Sequence, residues 1–526
     1  MFTRSALAVP AALLTLVLAV GGCTRDNPYD SPAPTVPSPS AVTPTGDPLV
    51  AETTSGRLEG KADGLVNRFL GVRYAEPPTG ERRWTLPELA EQAVEPVSAR
   101  KSGPRCAQTA TEENPLSRSE DCLFLDVTAP ATARGGQNLP VMVWWHGGDY
   151  THGSGSDYDA ARLAAEGNVI VVTVNYRLGV FGYLSLPGLE GSGTFGLADQ
   201  VMATRWARRN ATAFGGDPDN VTVFGESAGA MSACAFLTSP EFEGLASKVA
   251  MSSGGSCRLR WPENGLTLSA PARSPYVSLA EGAALGVDQA REAGCRGLEV
   301  LDCLRATPVE DLLEISPQFH DVLAYGTPLL PVDPAQAVLE GRVSPVPVIS
   351  SVNRHEARAF VTADEKSFTR KSYPAYVAAA YPGHETEVLA QYPLSDYDSP
   401  ALAWSALITD SSWVCPTLEG DTALAANGSP VYAAQFAEPA AALGSDLPYL
   451  FDLRGQDPLE GEQLDLAATM VAYWTSFAHN GMPKAQNQPP WPEYSGPGGQ
   501  SLRLRADLIE TADLGVEHRC DFWADL

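Results

Sequence analysis

Positive charge is what this 526-residue chain has least of. Lys and Arg number 36 against 63 Asp and Glu, a formal net charge of −27. Binding phosphates needs concentrated positive charge, so nucleic acid is excluded as a partner. Histidine is also scarce, with seven in all, and no C-x-x-C or H-x-x-x-H spacing occurs. No zinc site is therefore legible, and each His reads as a surface or supporting residue rather than a metal ligand. From Leu49 onward there is no internal repeat, no charge block and no second linker. Length alone suggests about three domains, but without a break the body reads as one large domain with insertions. Apolar residues at 44% and charged residues at 19% suit a globular chain, because that much apolar surface offsets chain entropy. Gly 47 and Pro 43 make it rich in loops.

The N-terminus carries one charge, Arg4, before an apolar run from Ala6 to Val20. That run is too short, and ends in residues too small, for a membrane span, so residues 1–22 read as an export signal. Val20-Gly21-Gly22-Cys23 resembles a bacterial lipobox, in which Cys23 becomes the lipidated first residue of the mature protein. A plain cleavable signal or short anchor with an incidental cysteine is the alternative. Residues 23–48 are rich in Pro, Ser and Thr and nearly devoid of apolar bulk, which makes them an extended tether. The expected location is the outer face of the cell membrane, held by lipid alone, or the medium. In that compartment cysteines pair. Setting Cys23 aside leaves eight of nine, and eight allow on the order of a hundred pairings, so spacing does not choose among them.

The body opens its core with apolar runs. Val141–Trp145 is stopped by Gly147-Gly148, and Val169–Val174 is β-branched throughout; such runs fit strands buried on both faces. Leu197, Val201, Met202 and Trp206 repeat at helical spacing up to Asn210. Asp217–Asn220 reads as a turn, and Val221–Phe224 as the next strand. Strand, helix, strand in that order predicts a parallel α/β sheet.

Directly after Phe224 stands Gly225-Glu226-Ser227-Ala228-Gly229, and a helix-compatible run follows. G-x-S-x-G at a strand-to-helix junction is a nucleophile elbow. Small neighbours permit a tight turn that lifts the serine oxygen above the sheet, with a helix N-terminus beneath to favour negative charge. Acyl transfer also needs donors where the carbonyl oxygen becomes an anion, and His146-Gly147-Gly148-Asp149 at a strand end is a suitable glycine loop.

These motifs, with Phe69–Pro78, Ser119–Leu123, Asn175–Gly179, Phe214–Pro218 and Cys520–Trp523, resemble those of the type B carboxylesterases. That family includes the cholinesterase-like proteins and has the α/β-hydrolase fold, a mostly parallel sheet flanked by helices. The likeness runs along nearly the whole body, 49–526. It implies Ser227 as nucleophile and oxyanion donors from the backbone of Gly148, Asp149 and Ala228. Glu356, on a segment Asn353–Glu356 similar to the family's N-x-D-E-G loop, is implied as the acid of the triad. Three disulfides are implied as well, Cys106–Cys122, Cys295–Cys303 and Cys415–Cys520. The last closes a loop worth on the order of 4–5 kcal/mol in the chain-entropy model. Cys234 and Cys257 remain, to pair or to stay buried as thiols.

Against this stands one substitution. The family's base is a His at the head of H-G-x-E/D-L-P-Y, and here the segment reads Leu443-Gly444-Ser445-Asp446-Leu447-Pro448-Tyr449. Leucine cannot take a proton from Ser227. His355, next to Glu356, is expected to face the other way, as neighbours do in an extended segment. His146 borders the oxyanion loop and His479 falls on a helix surface. None is an obvious replacement. Asp149 is a second departure, where relatives generally have Gly or Ala, since a carboxylate beside a developing oxyanion opposes it.

Two readings follow. One is a serine carboxylic ester hydrolase, impaired or with a relocated base, acting on a small-molecule ester without cofactor or metal. The other is an esterase-fold binding or adhesion module without turnover. Residues 107–121 contain no aromatic side chain to hold a quaternary ammonium, so choline esters are not expected substrates. Oligomeric state is not readable from the sequence.

Overall fold

A computed structural model describes residues 46–112, 114–265, 270–362 and 365–526. The export signal, Cys23 and nearly all of the tether lie outside these residues. The frame is an eleven-stranded sheet. In chain order its strands are β1 Lys61–Asp63, β2 Val66–Arg73, β3 Phe124–Pro130, β4 Leu139–Trp145, β5 Ile170–Val174, β6 Gly216–Glu226, β7 Lys248–Ser252, β8 Val348–Asn353, β9 Val431–Phe436, β10 Ser501–Leu504 and β11 Ile509–Ala512. Across the sheet they lie β11-β10-β9-β8-β7-β6-β4-β5-β3-β2-β1. From β5 to β10 every neighbouring pair is parallel, and the strands beyond each end are antiparallel.

Periodicity and burial explain the layout. Strands β4, β5 and β7 are buried at every residue, as strands covered on both faces must be. Helices supply the cover: α1 Ala161–Gly167, α2 Phe195–Asn210, α3 Ala228–Leu237, α4 Cys415–Ala426 and α5 Glu462–Asn480. All ten residues of α3 are buried. Trp144 on β4 anchors an aromatic cluster with Phe224 at 4.8 Å and Phe451 at 4.6 Å between ring centres.

One expected turn came out differently. Asp217–Asn220 lies within β6, as a bulge where pairing with β4 skips from Gly216 to Val221. Asp217 Oδ1 accepts the Asp219 N–H at 2.9 Å, so the Asx-type bond is made without ending the strand.

Candidate active site

At the end of β6 the chain bends sharply into α3. Ser227 has φ 51° and ψ −123°, a strained conformation for a residue with a Cβ, of the kind that persists only when its surroundings impose it. Its N–H donates to Ser252 O on β7 at 2.9 Å, and its carbonyl accepts Met231 N–H in the first turn of α3 at 2.8 Å. The elbow needs glycine because it is pressed against β4: a methyl on Gly229 would run into the Trp145 carbonyl. Gly147 meets the same limit from the other side, where a methyl would strike Glu226 Oε2 and stand 3.1 Å from Ser227 Cβ. The glycine loop thus lies directly on the elbow.

Backbone donors are free there. Among the described residues the N–H groups of Gly148, Asp149 and Ala228 donate to no protein acceptor. Asp149 and Tyr150 both have positive φ, 52° and 61°, and Thr151 and His152 turn back to Gly148 O at 2.9 and 3.0 Å. Burial, and then repulsion from Asp321, raises the Asp149 carboxyl above the ordinary range, with His152, His320 and Arg273 opposing.

Glu356 is fully buried, in the turn after β8. Its Oε1 accepts Ser253 Oγ–H and the Asn353 N–H, both at 2.7 Å, while its Oε2 has no partner. Burial pushes this carboxyl up to about 8 despite those two bonds. The loop bearing Leu443 arrives at the same place. A methyl on Gly444 would sit 3.7 Å from Glu226 Oε1, and Asp446 accepts from Asn353 Nδ2 at 3.1 Å. Burial holds Glu226 well above the ordinary carboxylate range, helped by repulsion from Asp446, Glu356 and Asp149. Three acids from separate segments therefore converge behind Ser227, and Leu443, partly buried, heads the loop that closes on them.

The sequence profile of the Carboxylesterase family matches residues 47–523. This chain belongs to that family. It is 33% identical over 498 residues to the para-nitrobenzyl esterase of Bacillus subtilis (strain 168), covering 89% of this chain and 97% of that protein. It is 31% identical to carboxylesterase 5A of Felis catus, over 91% and 94% of the two chains, and 30% identical to liver carboxylesterase 1 of Oryctolagus cuniculus, over 91% and 93%. The fold is the α/β-hydrolase fold, and the protein is a carboxylesterase-type serine hydrolase, an enzyme of ester hydrolysis.

Within this carboxylesterase the histidines are all accounted for, and none of the seven hydrogen-bonds Ser227 or Glu356. His146 stacks on Tyr176 at 4.3 Å and bonds Gly147 O; burial lowers it to about 3, so it stays neutral. His479 is exposed and contacts Gly167 O at 3.0 Å. The extended segment expected around His355 is not there: residues 354–357 form a tight turn, so strand alternation does not describe His355 and Glu356. The turn is fixed by Arg358 N–H to His355 O and His355 N–H to Ala441 O, each 2.9 Å. Burial and the neighbouring Arg354 and Arg358 lower the imidazole to about 4.

Among the described residues the cysteines form four disulfides, Cys106–Cys122, Cys234–Cys257, Cys295–Cys303 and Cys415–Cys520. The pair left open by the sequence joins α3, behind Ser227, to the turn that follows β7. Ser253 in that turn, with φ 56°, is the donor to Glu356 that sequence reasoning missed; a Ser-Ser-Gly-Gly stretch gives no hint of it. Glu226 and Asp446 were visible only as motif letters. Among the described residues no group of three or more His, Cys, Asp or Glu has metal-holding geometry, and no helix is long and apolar enough to cross a membrane.

Proposed function

We propose that the protein hydrolyses small, uncharged carboxylic esters through an acyl-enzyme at Ser227, with turnover held down by Leu443. The observation that carries this reading is the strained elbow facing unengaged amides. Ser227 Oγ attacks the ester carbonyl, and the N–H groups of Gly148, Asp149 and Ala228 receive the developing oxyanion. The alcohol leaves, and water then cleaves the acyl-serine. Glu356 is the acid of the triad; its Oε2 has no partner, and the sequence carries leucine at the position where the family has its imidazole. Losing the base of a comparable triad costs roughly a millionfold in turnover, while oxyanion hole and binding retain about a thousandfold over water. The absence of an aromatic side chain between Cys106 and Cys122 argues against choline esters.

The unpartnered Glu356 Oε2 favours a second reading, an esterase-fold binding module without turnover. A fluorophosphonate probe followed by mass spectrometry separates the two. Slow, stoichiometric labelling of Ser227 is expected, and a folded protein that takes no label at all would overturn the ester-hydrolase reading in favour of the module.

For location, the lipobox-like Val20–Cys23 and the tether 23–48 support a Cys23 lipid anchor, with the enzyme facing outward. Four disulfides suit that oxidising side. Mass spectrometry of the membrane-extracted protein is expected to show a diacylglyceryl adduct at Cys23, and its absence would leave plain secretion.

A further inference from the structure

Leu443 leaves the reaction without an imidazole, yet a proton acceptor adjoins the nucleophile. Glu226 immediately precedes Ser227, and the two side chains flank one glycine: a methyl on Gly147 would strike Glu226 Oε2 and lie 3.1 Å from Ser227 Cβ. Glu226 is only 5% exposed, and among the described residues its carboxyl has no ion-pair or hydrogen-bond partner. Other buried acids in the molecule are engaged. Asp199 is gripped by Arg177 at 2.7 and 2.8 Å, and Asp410 by His518, Tyr392 and Arg519. A buried carboxyl held without a donor beside a strained serine is the type of group that does chemistry rather than structure.

We propose that Glu226 is the catalytic base of this enzyme, taking the Ser227 proton directly or through one water in place of the imidazole absent at position 443. This inference rests on the ester-hydrolase reading of Ser227. In acylation the Oγ–H proton passes to the Glu226 carboxylate as the Oγ–C bond forms, and the carbonyl electron pair becomes the oxyanion. When the tetrahedral intermediate collapses, the ester C–O bond breaks and the leaving alkoxide takes the proton from the Glu226 carboxyl. In deacylation water gives its proton to Glu226 and attacks the acyl carbon, and Ser227 Oγ leaves with that proton. Nothing is consumed beyond ester and water.

The groups facing Glu226 suit the role. Asp446 approaches from the Leu443 loop, Glu356 from the turn after β8, and Asp149 from the glycine loop. The Tyr176 ring lies among the same charges. No cation is among these neighbours, and like charges in a buried site make a carboxylate a stronger base than an ordinary one. The activity should therefore climb with pH through and above neutrality.

The test uses the full-length protein, hydrolysis of 4-nitrophenyl acetate and the rate of fluorophosphonate labelling, each from pH 5 to 10. Glu226→Gln is expected to lower both rates by about 100-fold, and Glu226→Asp to restore part of the loss. The wild-type rate should show an inflection that Glu226→Gln abolishes. Adding Leu443→His to Glu226→Gln should bring back most of the activity of Leu443→His alone, because an imidazole then serves as base; a merely structural Glu226 would depress both backgrounds equally. A Glu226→Gln protein that keeps wild-type rates and the wild-type inflection, while Ser227→Ala loses both, overturns this proposal and leaves the ester-hydrolase reading intact. If Ser227→Ala also changes nothing, it is the underlying reading that fails.

Discussion

Two buried carboxylates in this protein have opposite fates. Asp410, in the wide turn Thr409–Val414 that follows helix Pro400–Ile408, has an imidazole: His518 Nδ1 stands 2.5 Å from its Oδ1. The Tyr392 hydroxyl at 2.8 Å and Arg519 at 3.1 Å bond its other oxygen. Glu356 keeps two donors on one oxygen and none on the other. The carboxylate–imidazole pair thus stands beside the Cys415–Cys520 disulfide, where it joins the C-terminal segment to the body, and not beside Ser227. The lesson is electrostatic. The acid whose two oxygens are both bonded is a structural clasp, whereas the acid left half-bonded is driven toward its protonated form and marks the place where a partner is missing.

Supplying that partner should have the largest effect. Leu443→His is expected to raise hydrolysis of short-chain 4-nitrophenyl esters by roughly a thousandfold or more, toward the millionfold a triad base contributes. Steady-state kinetics on the folded variant check this, and an unchanged kcat/KM would show that Leu443 does not occupy the position of the base.

Removing the partner from the other carboxylate should act on stability alone. His518→Ala is expected to cost about 3 kcal/mol in equilibrium unfolding, as breaking a buried pair does, with fluorophosphonate labelling of Ser227 unaffected. A lost label at full stability would erase the distinction between clasp and site.

Glu356 also makes a pH prediction with a definite sign. Its carboxyl is raised in the folded chain from an ordinary value near 4.5 to about 8, so the folded state holds a proton that the unfolded state releases. Its contribution to stability is complete below about 4.5 and is lost as pH rises through 8. Glu356→Gln should therefore flatten the decline of stability across that window and make the protein more stable at pH 8 by about 2–3 kcal/mol. Chemical denaturation at pH 5 and pH 8 measures the difference. An unchanged slope would mean that other buried acids govern it, Asp421 among them, which burial takes up to about 7.

The smallest expected change is at Asp149. With an imidazole restored by Leu443→His, Asp149→Ala should speed hydrolysis by about fivefold, more at high pH, because it removes a carboxylate from beside the developing oxyanion. A slower enzyme would show instead that this side chain serves the substrate.

The parts of the site built from neighbouring residues were readable beforehand. The run Val221–Phe224, the glycines at 225 and 229 and the apolar helix after them describe one strand, one bend and one helix, each set by local sterics and periodicity. The glycine pair at 147 and 148 follows β4 in the same way. The bulge at Asp217–Asn220 misled, since its side-chain bond resembles that of a chain-reversing turn. Glu356 was reached by family likeness alone, because one carboxylate among 63 acidic residues has no local signature. The geometry of His355 needed the backbone bonds of a turn that alternation does not describe.

Order along the chain thus announced the strands, the helix between them and the elbow, since each is set by local sterics and by the period of its apolar residues, and family likeness marked Leu443 as the place where a base is expected. Tertiary packing decided the rest. It put Ser253 on Glu356, Cys234 on Cys257, His518 on Asp410 and three acids behind Ser227. Those partners come from segments far apart in sequence, and burial gives their charges a strength that no residue has in the unfolded chain.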